Sequence, residues 1–150
     1  MNKEITDFVD RIRRHYDDGC FACGRDNPIG LHLDDFDLVG REVSARFTPR
    51  ADYRGAGEIL HGGVAATALD EMLVWAAILT ERVMTVTGKL ELRYPKPLHI
   101  ADQLTVRARV DDRRGKRITA SGELLVDDEV RTQASGLFLV SVDLAEMGVF

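Results

Sequence analysis

Leu60-His61-Gly62-Gly63-Val64-Ala65-Ala66-Thr67-Ala68-Leu69-Asp70-Glu71 opens the longest nearly apolar run of the chain, which continues to Leu79. From Val64 to Leu79 only Asp70 and Glu71 carry charge, and neither Gly nor Pro interrupts. The run therefore predicts one helix from about Gly63 to Leu79. A helix that is apolar on nearly every side is buried on most of its surface. Two consecutive glycines at its start leave backbone N–H groups unshielded by side chains. The first turn of a helix has donors without intrahelical partners, and its dipole favours negative charge. Two readings of Gly62 and Gly63 stand: a tight turn that permits close packing, or a cradle for a carbonyl oxygen that becomes an oxyanion.

Asp70 and Glu71 interrupt a helix that is otherwise dry. As neighbours they point about 100° apart around the axis, so one can reach solvent while the other enters a pocket or interface. A carboxylate in such a place is costly unless it is paired, hydrogen-bonded or used. The structural reading bonds it to Arg93 or Lys89 on the sheet; the functional one makes it an acid or base in a reaction.

Outward from this helix the period changes. Met84 to Tyr94, Leu104 to Val110, Arg117 to Val126 and Val130 to Val142 show two-residue alternation or β-rich runs. Pro95 and Pro97, then Arg114 and Gly115, then Asp127 and Asp128 separate them, which predicts an antiparallel meander of four long strands. Upstream, Leu31 to Phe47 alternates with a break at Val39, Gly40 and Arg41, predicting two short strands, and residues 49 to 60 read as a loop. Ile5, Phe8, Val9, Ile12 and Tyr16 recur at spacings of three and four, so the first segment predicts a short amphipathic helix ended by Asp17, Asp18 and Gly19. One buried helix followed by a meander is an α+β arrangement in which the sheet curves around the helix.

The 150 residues, with 20 basic against 25 acidic and a net charge of −5, suit one ordinary domain that buries roughly two thirds of its unfolded surface. This acidic balance argues against a nucleic-acid partner, because such domains gather Lys and Arg on one face. The central run is shorter than the ~20 residues of a bilayer span and carries two charges, which excludes the membrane as a partner. Asp7, Asp10, Asp17 and Asp18 leave no apolar signal core in the first twenty residues, so a cytoplasmic location is expected. Arg113, Arg114, Lys116 and Arg117 around Gly115 read as a solvated hairpin tip or as a site for a phosphate-bearing ligand. Cys20 and Cys23 have the spacing of half a zinc knuckle, with His15 and His32 on either side. A structural zinc site needs four suitably arranged ligands, so two reduced, partly buried thiols and no metal are expected. Trp75 reads as core or dimer packing rather than a stacking platform, and His99 as a solvated loop residue.

Cys20-Phe21-Ala22-Cys23-Gly24, Asn27-Pro28-Ile29-Gly30-Leu31, His61-Gly62-Gly63 with Asp70 nine residues after the histidine, and Thr87-Gly88-Lys89-Leu90 leading to Arg93-Tyr94-Pro95-Lys96-Pro97 occur in this order. The set resembles the hotdog-fold acyl-CoA thioesterases of the 4-hydroxybenzoyl-CoA thioesterase superfamily, in particular the phenylacetyl-CoA thioesterase-like branch. The resemblance spans about Cys20 to Val142. It implies a hotdog fold, a curved antiparallel sheet wrapped around one long central helix, with the helix of residues 1–19 packed on a single domain of residues 20–150. It further implies hydrolysis of an acyl thioester, aryl and medium-chain acyl groups included, to a carboxylic acid and free coenzyme A.

On that resemblance Gly63 or Gly62 offers the oxyanion N–H, His61 shapes the turn, Asp70 is nucleophile or general base, and Thr87 orients water. Gly88, Glu71, Arg114 and Lys116 are the implied substrate contacts, and no metal or cofactor is implied beyond the coenzyme A of the substrate. The helix start and the acid of one site come from different subunits, so a homodimer or homotetramer is implied. Where relatives place Asn or Gln before the double glycine, this chain has Arg54-Gly55-Ala56-Gly57-Glu58. That departure keeps a second class of function in view, a hotdog domain that binds acyl-CoA or a small aromatic ligand without turnover.

Overall fold

A computed structural model describes residues 2–16 and 18–149. The elements are α1 (Lys3–Tyr16), β1 (Asp37–Val39), β2 (Glu42–Phe47), α2 (Gly62–Glu81), β3 (Val83–Arg93), β4 (Leu104–Arg114), β5 (Arg117–Val126) and β6 (Glu129–Asp143). The six strands form one antiparallel sheet in the order β1-β2-β4-β5-β6-β3. β3 thus lies at one edge although α2 joins it to β2 near the other, and α2 crosses the whole concave face between them. This is the hotdog arrangement. Register shifts at Met84/Thr85, Thr87/Lys89, Val110/Asp112 and Leu124/Leu125 mark bulges that bend the strands.

The core follows from the two periods. Leu69, Met72, Leu73 and Ile78 of α2 are at most 2% exposed, and Val106, Ala108, Ile118, Ala120, Leu124 and Phe138 of the sheet meet them. Full burial of each large aliphatic side chain contributes about 1.5–3 kcal/mol. Ala65, Ala68, Ala76 and Ala77 are buried too, and their small size lets the helix sit close to the sheet. Gly122 has the same use on β5, because a Cβ there would stand 2.5 Å from the Arg107 carbonyl. α2 runs two residues further than the predicted Leu79, to Glu81, and is capped where Arg82 turns left-handed (φ 58°) and its N–H bonds back to the Ile78 carbonyl. Its 20 residues reach the length of a bilayer span, but 56% of its apolar window is buried inside this fold.

One predicted strand is corrected. Residues 31–36 are irregular, and β1 keeps only Asp37–Val39. His32 (φ 54°) and Asp35 (φ 62°) adopt the left-handed region, which breaks an extended ladder. The alternation of Leu31, Leu33 and Phe36 instead reports three core anchors, with the Leu31 and Leu33 N–H groups bonded to the Phe21 and Ala22 carbonyls. Of the predicted helix stops, Asp17 lies outside the described residues. Of the predicted α1 stripe, Phe8, Val9 and Ile12 are buried, whereas Tyr16 is exposed.

A buried cation ties α1 to this irregular segment. Arg13, 6% exposed, donates to Asp18 at 2.7 Å, to the Cys23 carbonyl at 2.6 Å and to Asp34 at 3.1 Å. Burial alone would oppose its charge, but Cys23 and the two carboxylates hold its pKa above the ordinary value. Removing one member of such a group leaves the others buried and short of a partner. Arg13→Ala is expected to lower stability by about 3 kcal/mol in urea unfolding; a loss within experimental error would show that the network carries no net stability.

Candidate active site

His61 is the residue just before α2, with φ −58° and ψ 131°, and its Nδ1 accepts the Gly63 N–H at 2.9 Å. Its backbone carbonyl accepts from Val64 and Ala65, and its N–H is tied to the Tyr53 carbonyl. The loop before it folds back on itself through Gly55 N–H to the Ile59 carbonyl at 2.7 Å and an antiparallel bridge between Arg54 and Leu60. The histidine thus fills the capping role that Ser, Asp or Asn usually takes.

The glycines consequently differ. Gly63, expected to offer its N–H, has spent it on His61. Gly62, the first helical residue, has an exposed N–H with no hydrogen-bond partner among the described residues. Its carbonyl accepts from the Tyr94 hydroxyl at 2.8 Å, and the Tyr94 ring lies 3.6 Å from where a Gly62 Cβ would be. Beside it lies a recess of about 330 Å³ lined by Ile59, Leu60, Ala65, Tyr94, Leu98 and Thr132 among others. Thr132 is fully buried and its hydroxyl has no partner among the described residues.

Asp70 is half-buried and accepts the Thr87 hydroxyl at 2.8 Å. The bulge between Thr87 and Lys89 leaves Gly88 out of the ladder, where a Cβ would stand 3.2 Å from the Leu137 carbonyl. The structural partners considered for the two acids are not realised, since Lys89 pairs with Glu91 at 2.9 Å and Asp70 bonds Thr87 instead. Asp70 lies eight residues after Gly62, which is about 12 Å along the helix axis. Two groups that far apart cannot serve one carbonyl carbon.

Glu71 turns the other way. Its Oε1 accepts from Trp75 Nε1 at 3.1 Å and from Cys20 Sγ at 3.7 Å. Burial pushes this carboxyl up to about 7, with the nearby Cys20 adding to the effect. Trp75 is core, 3% exposed and stacked on Phe36. Arg114 and Lys116 sit at the exposed β4–β5 tip, where Arg114 pairs with Asp112 and Arg113 reaches Glu81, at the far end of α2 from the glycines. Within one chain they are a helix length, about 30 Å, from Gly62. His99 is exposed and bonds Asp102 through its backbone.

This fold and this helix start define a thioesterase-type hotdog protein. The thioesterase superfamily model matches residues 57–132, half of the chain, and the chain belongs to that superfamily. It is similar in fold to the E. coli PaaI protein from the phenylacetic acid degradation operon, at 15% identity and a TM-score of 0.75 over 92% of this chain and 96% of that one. Protein RHA08564, a thioesterase superfamily protein, matches at 21% identity and a TM-score of 0.74 over 91% and 81%. Smu.793 from Streptococcus mutans UA159, solved bound to acetyl CoA, matches at 18% identity and a TM-score of 0.66 over 73% and 91%. No curated protein sequence matches the chain.

Sequence reasoning missed the Gly63–His61 bond and the Tyr94 clasp on Gly62. A histidine directly before a double glycine was the available signal for the first. Replacing His61 by Ala is expected to cost about 1 kcal/mol of stability, with His61→Asn restoring most of it. Paired thermal melts of both variants check this; equal loss in the two would deny the capping role.

Proposed function

We propose that the protein hydrolyses an acyl thioester, with coenzyme A as the thiol, at sites shared between two copies of the chain. The observation that carries this reading is a pair of features on α2: a free N–H at Gly62 and a half-buried carboxylate at Asp70, too far apart to cooperate within one chain. Gly63, Ala66, Thr67, Asp70 and Val74 form an accessible stripe along α2. A two-fold axis passing near Ala66 and Thr67 would set two α2 helices antiparallel and bring Asp70 of one copy to Gly62 of the other. The long edge strand β3, with Val86 55% exposed, offers an unpaired row of backbone groups for such association.

In that site the Gly62 N–H, at the positive end of the helix dipole, stabilises the oxyanion as the thioester carbonyl is attacked. Asp70 Oδ1 is held by Thr87, leaving Oδ2 to take a proton from water or to attack as nucleophile. Water oxygen bonds to the carbonyl carbon, the carbon–sulfur bond breaks, and the proton follows the leaving thiolate. A thioester needs no triad for this, since its thiolate leaves readily. The apolar recess beside Gly62 suits the acyl group, and the basic β4–β5 tip would reach coenzyme A phosphates only from another copy. The family match and a neighbour bound to acetyl CoA support this substrate class.

A second reading, binding without turnover, draws on the Gly63 N–H already occupied by His61 and on the absence of an amide side chain in the loop at 54–58. Assays over a panel of acyl-CoAs separate the two: turnover supports the first, binding alone the second.

Gly62→Pro deletes the Gly62 N–H while suiting the first helical position, and His61 already has the extended ψ that a following proline demands. It is expected to fold normally and to lose about 10²–10³-fold in kcat, and Asp70→Asn about 10²–10⁴-fold. Mixed dimers of the two variants would hold one intact shared site and recover activity. No recovery in verified mixed dimers would overturn the shared-site arrangement while leaving the activity itself decided by the assays.

A further inference from the structure

On the other flank of α2 from Asp70, three metal-ligating side chains converge. Cys20 Sγ, Cys23 Sγ and a Glu71 carboxylate oxygen all lie within 4.8 Å of one another. Tetrahedral coordination with zinc–sulfur bonds of 2.3 Å sets ligating sulfurs about 3.8 Å apart, so the described side chains need only small adjustments to close on an ion. The turn that presents them is built for this. The Cys23 N–H points at Cys20 Sγ at 3.5 Å, and the Gly24 N–H bonds the Cys20 carbonyl at 2.8 Å. A Cβ on residue 24 would come within 2.4 Å of the Asp18 carbonyl and the Cys20 nitrogen, so only glycine permits the turn. Both sulfurs thereby lie near α2, where the Trp75 indole donates to the same Glu71 oxygen that meets Cys20 and so fixes the carboxylate, as outer hydrogen bonds fix metal ligands.

We propose that Cys20, Cys23 and Glu71 bind one zinc ion, with the fourth position facing the adjoining cavity. That cavity, of about 370 Å³, is lined by Ile12, Tyr16, Val74, Ile78 and Met84 as well as the three ligands, and has room for a water or a small anion on the metal. Histidines 15 and 32 are not needed, because the third ligand comes from the helix and not from the flanking sequence. Two thiolates and a carboxylate suit a borderline-soft ion such as zinc better than calcium or magnesium. Without an ion, the three groups meet with no cation paired to Glu71 among the described residues. Zinc binding releases the thiol protons to solvent and ties the 20–24 turn to the central helix. The proposal is independent of the reaction at Asp70.

The test uses the full chain, kept reduced, stripped with a chelator and titrated with Zn(II) against a chromophoric competitor; Co(II) serves as a spectroscopic probe. One equivalent of Zn(II) at submicromolar affinity is expected, with a thiolate-to-cobalt charge-transfer band and a rise in melting temperature. Cys20→Ser, at an exposed position, should abolish all three. Glu71→Gln and Trp75→Phe should weaken Zn(II) about 10–100-fold with unchanged circular dichroism. Failure of the reduced protein to bind Zn(II), or binding that survives Cys20→Ser, would overturn the site. Retention of full affinity in Glu71→Gln would remove Glu71 from it, and a Cys20–Cys23 disulfide that persists in reductant and excludes Zn(II) would replace the metal by a redox pair.

Discussion

A helix with almost no polar face has to be covered on almost every side, and the rest of this molecule is arranged around that requirement. One flat sheet would leave most of α2 in water. The six strands therefore bend at their bulges and wrap it, with β3 carried to the far edge by the helix itself. The flank the sheet does not reach is closed by the irregular segment at 18–36, whose anchors Leu31, Leu33 and Phe36 are all buried. Arg13 holds that segment to α1. Among the parts of α2 left accessible is a narrow stripe through Gly63, Ala66, Thr67, Asp70 and Val74.

The architecture was legible because period is a property of the chain itself. The change from a continuous apolar run to two-residue alternation at Met84 identified helix and meander, and β5 matches its predicted bounds of Arg117 and Val126. Residues 31–36 were misread for the same reason: apolar residues at alternate positions report which side chains are buried, and a ladder is only one way of burying them. Left-handed φ at His32 and Asp35 comes from tertiary anchoring, to which local alternation is blind.

The candidate site was legible in its residue types and much less so in its bonds. His61, Gly62, Gly63, Asp70 and Thr87 all fall where a helix start and an edge strand place them. Which glycine N–H stays free depends on the rotamer of one imidazole, and sequence carries no record of that. Glu71 was seen as a costly acid but without its partners, since Cys20 lies 51 residues away and the turn at Gly24 is what brings it near.

Asp70 and Glu71 show how one helix can keep two chemistries apart. Neighbours in sequence, they are separated by about 100° of helical rotation, which is enough for different surroundings. Asp70 looks toward the edge strand and the Thr87 hydroxyl and is partly open to solvent. Glu71 looks toward two thiols and an indole, and burial raises its pKa. A carboxylate needed as a base must stay ionised and reachable; one held in a dry pocket must be neutralised by a proton or a cation. The helix supplies both environments by rotation alone, so the two charges that interrupt its apolar run meet different surroundings.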